Sequence, residues 1–188
     1  LSGLILLLPI MMLVAIAIKI EDPKGKVIFG HMRVGKDGRL FPCLKFRSMF
    51  ANAEEMKKNF TEEQKREYAE TFKLKNDPRI TKVGKFIRKT SLDELPQLFN
   101  ILKGDMSIVG PRPVIEREVR LLEIRKECNV DSILPGITGL AQINGRDNID
   151  DYEKVKYDFE YLSKRNLVLD IKIIINTVLK VAKSEGIK

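Results

Sequence analysis

The run LSGLILLLPIMMLVAIAI, residues 1–18, carries no charged side chain, and 15 of its 18 residues are Ala, Val, Ile, Leu or Met. All 34 basic and 26 acidic side chains of the 188-residue chain follow it. The chain is therefore a short apolar head joined to a charged, basic body, with a formal net charge of +8. At a rise of about 1.5 Å per residue, the head makes roughly 27 Å of helix, slightly under the ~30 Å hydrocarbon core of a bilayer. Pro9 stands in the middle of the run. It has no backbone N–H, and its ring clashes with the carbonyl four residues back, so a kink or break is expected there. Three readings stay open on these residues. One is a short spanning helix. Another is a leader with Ala15-Ile16-Ala17 as its cleavage site. The third is a re-entrant helix–break–helix that dips into one leaflet, with its freed carbonyls satisfied inside the protein.

Outward from the head, eight basic residues (Lys19, Lys24, Lys26, Arg33, Lys36, Arg39, Lys45, Arg47) are accompanied by three acids, Glu21, Asp22 and Asp37. That bias places the body on the cytoplasmic side of a membrane. Residues 26–34 and 39–49 read as two strands joined by the turn GKDG. Residues 52–73 read as one helix with Met56, Phe60 and Tyr68 on a face, broken at Pro78. A basic amphipathic helix is expected at 82–89, around Val83, Phe86 and Ile87. It suits a membrane surface or, equally, a helix packed on its own core. Further helices are expected over 91–103 (ended by Gly104), 114–128, 150–163 and 167–183, with residues 134–146 as loop. In the 150–163 helix, Tyr152, Val155, Phe159 and Leu162 share one face, and the last helix has a wide apolar face suited to a core or to partial membrane contact.

Composition excludes several classes. The long amphipathic segments and nine Phe argue against global disorder. Cys43 and Cys128 are too few for a disulfide framework, and with His31 alone beside them a structural zinc site is not expected. The glycine-rich GITGLAQINGR matches neither the P-loop nor the dinucleotide fingerprint. The basic excess attracts nucleic acid in general, but there is no Trp, stacking-aromatic motif or reading helix to back that partner.

The chemistry concentrates in RKTSLDELPQLFN, residues 88–100. Asp93 and Glu94 are adjacent carboxylates at a helix start, and side chains one residue apart on a helix project about 100° apart, so they would serve two roles. Ser91-x-x-Glu94 also reads as a capping box, which would make Glu94 a helix-start device. With Asp93 as the cap instead, Pro96 falls inside the first turn, where proline is tolerated. Arg88 precedes the pair, and Arg112 is held between Pro111 and Pro113. A rigid planar guanidinium suits a phosphate or diphosphate, or equally a surface carboxylate.

The segments KFRSM (45–49), SLDELPQLFNILKGDMSIVGPRP (91–113), PGITGLAQINGR (135–146) and LDIKI (169–173) resemble the bacterial sugar transferase family, the monotopic polyprenyl-phosphate phosphoglycosyl transferases. The similarity runs from the head almost to the C-terminus. It implies transfer of a sugar-1-phosphate from a UDP-sugar to a polyprenyl (undecaprenyl) phosphate, with release of UMP, dependence on Mg²⁺ and a place in glycan assembly. It implies an α+β, predominantly helical fold: a re-entrant membrane helix over residues 1–20, broken at Pro9, then a compact cytosolic catalytic domain over 21–188 with a short β-hairpin and amphipathic interfacial helices. The expected setting is one leaflet of the bacterial inner membrane on its cytoplasmic face, with room for a homo-oligomer. On matching residues, Asp93 is the implied nucleophile and a metal ligand, and Glu94 its dyad partner. Lys45, Arg88, Arg112 and Arg146 are the implied substrate cations. Asp105, Asp158 and Asp170 are implied for metal, substrate or scaffold. The family often has Ser-Pro at the re-entrant break where this chain has Leu8-Pro9. The long 50–76 segment resembles the larger family members, of which this chain would be the catalytic part.

Overall fold

A computed structural model describes residues 2–71, 74–145 and 148–182. In chain order the elements are α1 (Ser2–Glu21), β1 (Ile28–Val34), β2 (Leu40–Phe46), α2 (Ala53–Met56), α3 (Glu62–Thr71), α4 (Lys82–Lys89), α5 (Gln97–Lys103), β3 (Ser107–Val109), α6 (Val119–Glu127), β4 (Gly136–Thr138), α7 (Leu140–Asn144), α8 (Asp151–Lys164) and α9 (Leu167–Ala182). The fold is mixed α and β, with helices predominating. β1 and β2 form an antiparallel hairpin in which Ile28 faces Phe46 and Val34 faces Leu40, while β3 and β4 pair in parallel.

The head is one helix. α1 continues through Pro9, so the expected break is absent. A proline removes a single hydrogen bond from the helical ladder, and the turns on either side carry the helix across it. Among the described residues, no helix is long and apolar enough to cross a membrane. α1 divides its surface sharply. Met11, Val14 and Ile18 are buried with Phe46 and Ile87 in a core shared by the hairpin and α4, whereas Leu6, Met12, Leu13, Ile16 and Ile20 are exposed. Burial of a large aliphatic side chain contributes about 1.5–3 kcal/mol, so three such residues dock the head firmly.

Polar contacts fix the end of that helix. Both carboxylate oxygens of Glu21 accept hydrogen bonds from the first-turn N–H groups of α4, Lys82 at 2.7 Å and Val83 at 2.8 Å. These donors have no partner within their own helix. Asp22 receives Arg47 Nη1 and the Ala51 N–H, each at 2.7 Å. Two of the three acids that dilute the basic flank of the sequence, Glu21 and Asp22, are thus the bolts between head and body.

α4 lies at its expected residues, 82–89, with Thr81 as its cap: the Thr81 hydroxyl accepts the Gly84 N–H at 2.8 Å. Ile87 packs into the core while Phe86 faces outward. Gly84 is required there, because a β-carbon would fall on the carbonyl oxygen of Ser48. The expected 52–73 helix is two pieces, α2 and α3, separated by a 3-10 turn and by buried Phe60. Phe60 and Tyr68 meet edge-on at 5.9 Å, and the Arg79 guanidinium lies 5.2 Å and 5.0 Å from the two ring centres. Arg79 is itself paired with Asp77 by two side-chain hydrogen bonds of 2.7 Å and 2.8 Å.

The 134–146 stretch is not simply loop: it supplies β4 and the short α7. Glycines allow the close crossing, since a β-carbon on Gly139 would meet the Gly110 carbonyl. α6 begins at Val119, later than the expected 114, because Val114 instead bridges to Val34 of β1. α8 buries Val155, Asp158 and Tyr161, leaving Tyr152 and Phe159 exposed, so its inward face is not the purely apolar one. Among its described side chains α9 buries only Ile173 fully, and it exposes Leu167, Val168, Ile171, Ile175, Val178 and Leu179.

Candidate active site

Asp93 and Glu94 lie in a 3-10 turn, Leu92–Glu94, between α4 and α5. The chain enters this turn through Ser91, which adopts the left-handed conformation (φ 56°, ψ 15°) and makes no capping hydrogen bond with its side chain. The capping-box reading therefore fails. A side-chain-bearing residue held in that region costs of order 1–3 kcal/mol, and such strain gathers where geometry is functional. Pro96 takes the N-cap position of α5, where a missing N–H costs nothing. The two carboxylates are thus freed from helix-start duty.

They are also made unequal. Lys45, on β2, donates from Nζ to Glu94 Oε1 at 2.7 Å, with both side chains largely buried. The strand that carries Lys45 is stapled to α5 by Asn100, which is 1% exposed. Asn100 accepts the Leu44 N–H at 2.9 Å and donates to the Pro42 carbonyl at 2.9 Å and to Asp105 at 3.2 Å. Asp93 is half-buried beside this pair. Burial pushes its carboxyl above the ordinary value; Lys45 and Arg88 oppose that rise, and Glu94 adds to it. Arg88, at the end of α4, is aimed by Ser48, whose hydroxyl accepts from its Nε at 2.8 Å.

Arg112 is held from behind. Its carbonyl accepts from Arg125 Nη1 at 2.8 Å, and Arg125 is locked by Asp158, whose Oδ2 accepts from Nη2 at 2.7 Å and from Nε at 3.1 Å. Arg125 and Asp158 are 7% and 1% exposed, so this is a buried ion pair. Asp170 accepts the Tyr161 hydroxyl at 2.9 Å. Asp105, Asp158 and Asp170 are therefore engaged in scaffold contacts. Arg146 lies outside the described residues.

Sequence reasoning missed part of the cation cluster. In the hairpin register His31 faces Cys43 and Arg33 faces Phe41, while Phe29 faces Lys45, so Arg33, His31 and Lys45 share one side of the hairpin. Arg33 Nη2 lies 3.3 Å from His31 Nδ1, and Arg33 Nη1 is 4.0 Å from Glu118. Burial, followed by the Arg33, Lys45 and Arg117 charges, pushes the His31 imidazole below its ordinary value. Alternation at residues 31 and 33 was the available signal, but it acquires meaning only once the hairpin register places both beside Lys45. A cavity of about 300 Å³ adjoins the dyad and is lined by Glu94 and Arg112. Among the described residues, no cluster of three or more His, Cys, Asp or Glu side chains is arranged to hold a metal. With Glu94 engaged by Lys45, Asp93 is the dyad carboxylate that fits the sparser mode in which Mg²⁺ takes one or two carboxylates and completes its shell with substrate phosphates and water.

The model of the family described as bacterial sugar transferase matches residues 1–184. The chain belongs to the bacterial sugar transferase family. Among curated members, it is 45% identical to the undecaprenyl-phosphate galactose phosphotransferase of Salmonella typhimurium, over 98% of this chain and 39% of that protein. It is 43% identical to the UDP-glucose:undecaprenyl-phosphate glucose-1-phosphate transferase of Escherichia coli, over 96% of this chain and 38% of that protein. It is also 43% identical to the exopolysaccharide production protein ExoY of Sinorhizobium fredii, over 98% of this chain and 82% of that protein. This bacterial sugar transferase chain thus spans about two fifths of the first two relatives and most of the third.

Proposed function

We propose that the chain transfers a sugar-1-phosphate from a UDP-sugar to a polyprenyl phosphate such as undecaprenyl phosphate, releasing UMP, as the first membrane step of a bacterial glycan assembly. The observation that carries this reading is the division of labour in the dyad. Glu94 is bonded by Lys45, and Asp93 stands next to it, half-buried, with the Lys45 and Arg88 charges both acting on it.

In the first half-reaction an Asp93 carboxylate oxygen attacks the sugar-bearing phosphorus. The bond from that phosphorus to the bridging oxygen breaks, UMP leaves with the bridging oxygen, and a phosphosugar–aspartyl ester forms. In the second, a phosphate oxygen of the polyprenyl phosphate attacks the same phosphorus. The bond to the Asp93 oxygen breaks, restoring the carboxylate and leaving a polyprenyl diphosphate sugar. Catalysis of such transfers rests on positioned charge. Arg88, Arg112, Lys45 and Arg33 are the described cations around the incoming diphosphate, and Arg146 is proposed as a further one. Mg²⁺, held by Asp93 and the diphosphate oxygens, would supply further neutralisation of phosphate charge.

The exposed apolar faces of α1 and α9, with Phe86 of α4, support a body seated in one leaflet at the cytoplasmic face of the inner membrane. The test is UMP release from a panel of UDP-sugars with polyprenyl phosphate and Mg²⁺. Asp93→Asn abolishes release for every sugar that the unmodified chain accepts, and full turnover by that variant would refute the covalent route.

A further inference from the structure

Resting on that reaction, we infer that the cavity on the Glu94 side of the dyad is the seat of the lipid acceptor, taking its phosphate and first isoprene units, while the donor diphosphate lies on the hairpin side. The lining of the cavity is chemically mixed. The aliphatic side chains Leu7, Leu95, Leu98 and Val181 line it together with Arg112, Lys180 and Glu94, and with uncharged polar side chains such as Gln142. A phosphate joined to a branched hydrocarbon matches the cations and the aliphatic lining at once.

Three further observations favour the lipid over the sugar nucleotide. First, Leu7 is partly buried while its neighbours Leu6, Leu8 and Ile10 are exposed, so the apolar head turns this residue toward the body, where it lines the cavity. Second, the two helices that contribute Leu7, Lys180 and Val181 to the lining also carry exposed apolar side chains, Leu6 and Leu8 of α1 and Val178 and Leu179 of α9. A hydrocarbon tail leaving the cavity therefore meets apolar surface. Third, among the described residues no aromatic side chain lines the cavity, so these residues offer no face on which a uracil could stack. The hairpin side, by contrast, carries Lys45, His31 and Arg33 on one face, with the aromatic Phe29 across from Lys45.

Lys180 is well placed as the acceptor-phosphate donor. Its ammonium makes a short hydrogen bond to the Ile143 carbonyl, which anchors it, and an ammonium has three donors in all. Arg112, held by Arg125 and already assigned to the donor diphosphate, also lines this cavity, so it serves the phosphates of the two substrates in turn. The acceptor phosphate so placed sits beside Glu94, one residue from the phosphosugar on Asp93. The two substrates then reach the dyad from opposite sides.

The test separates the half-reactions. Leu98→Trp fills space along the aliphatic lining and Lys180→Gln removes a lining cation. In each variant, single-turnover UMP release from the UDP-sugar without acceptor stays at the unmodified rate. Transfer from the loaded enzyme to polyprenyl phosphate falls about tenfold or more, the scale of one lost charge-assisted hydrogen bond. The chain contains no tryptophan, so blue-shifted emission from the introduced indole reports that the Leu98→Trp protein is folded with the cavity filled. If it is not folded, Lys180→Gln decides alone. Equal loss in both half-reactions would assign the cavity to the donor sugar and overturn the inference, as would unchanged transfer. Absence of UMP release from the unmodified chain would instead refute the proposed reaction itself.

Discussion

Asp158→Ala removes the counter-charge of a guanidinium that is 7% exposed. Arg125 then keeps its hydrogen bond to the Arg112 carbonyl and loses both bonds to Asp158, at 2.7 Å and 3.1 Å. Breaking a buried pair from one side costs about 3–5 kcal/mol, because a desolvated charge is left without a partner. For a chain of this length each kcal/mol lowers the unfolding midpoint by about 2–4 °C, so a fall of roughly 6–20 °C is expected. Replacing the pair by Arg125→Met with Asp158→Leu removes both charges and refills the volume, an exchange that is often neutral or stabilising. Thermal unfolding of the detergent-solubilised protein measures both. The double variant recovers the midpoint but not the rate of UMP release, because the Arg112 carbonyl has lost its donor and the guanidinium its fixed position. A midpoint drop below about 2 °C in the single variant would show that the charge is not buried as described. Recovery of full activity in the double variant would refute the positioning role of Arg125.

Two further perturbations test other parts of the framework. Burial raises the Asp77 carboxyl, but the Arg79 side-chain and backbone hydrogen bonds outweigh it, so its pKa is lowered on folding. A depressed carboxylate stabilises the fold above its unfolded pKa of about 3.9, and that contribution is lost as the pH falls through the folded value. Asp77→Asn therefore lowers the midpoint at neutral pH and flattens its decline in acid; an unchanged acid slope would exclude this pair as a source. Gly84→Ala drives a β-carbon onto the Ser48 carbonyl, forcing α4 away from the residue that aims Arg88. A loss of about 1–3 kcal/mol, as for other overpacked sites, should accompany slower UMP release, and an unaltered protein would show that α4 can shift freely.

What the sequence made legible was local. The GKDG turn between alternating segments defines the hairpin, and the spacing of Val83, Phe86 and Ile87 defines α4 to the residue. Asp93, Glu94 and Lys45 were legible through long motifs, and the structure brings Lys45 onto Glu94. The failures share a physical cause, which is dependence on partners distant in the chain. β4 looks like loop because its three residues become a strand only by pairing with β3. The inward face of α8 was misread because its central buried residue is Asp158, a charge that hydrophobic periodicity rejects and only Arg125 makes tolerable. Ser91 matched a capping pattern, yet the turn from α4 forces it into the left-handed region, where its side chain caps nothing.

The same logic explains how two neighbouring carboxylates acquire different duties. Alone, adjacent acids facing a diphosphate would repel it twice. The Lys45 ammonium at 2.7 Å bonds the Glu94 carboxylate directly, while Asp93 feels Lys45 and Arg88 as nearby charges. That assignment depends on which way β2 presents Lys45, and β2 is pinned to α5 through the neutral amide of Asn100, bonded at both Leu44 and Pro42. An uncharged buried side chain therefore sets which acid of the pair is bonded and which is left for chemistry. The dyad is asymmetric before any substrate arrives, and the asymmetry is written into the packing of a strand against a helix rather than into the acids themselves.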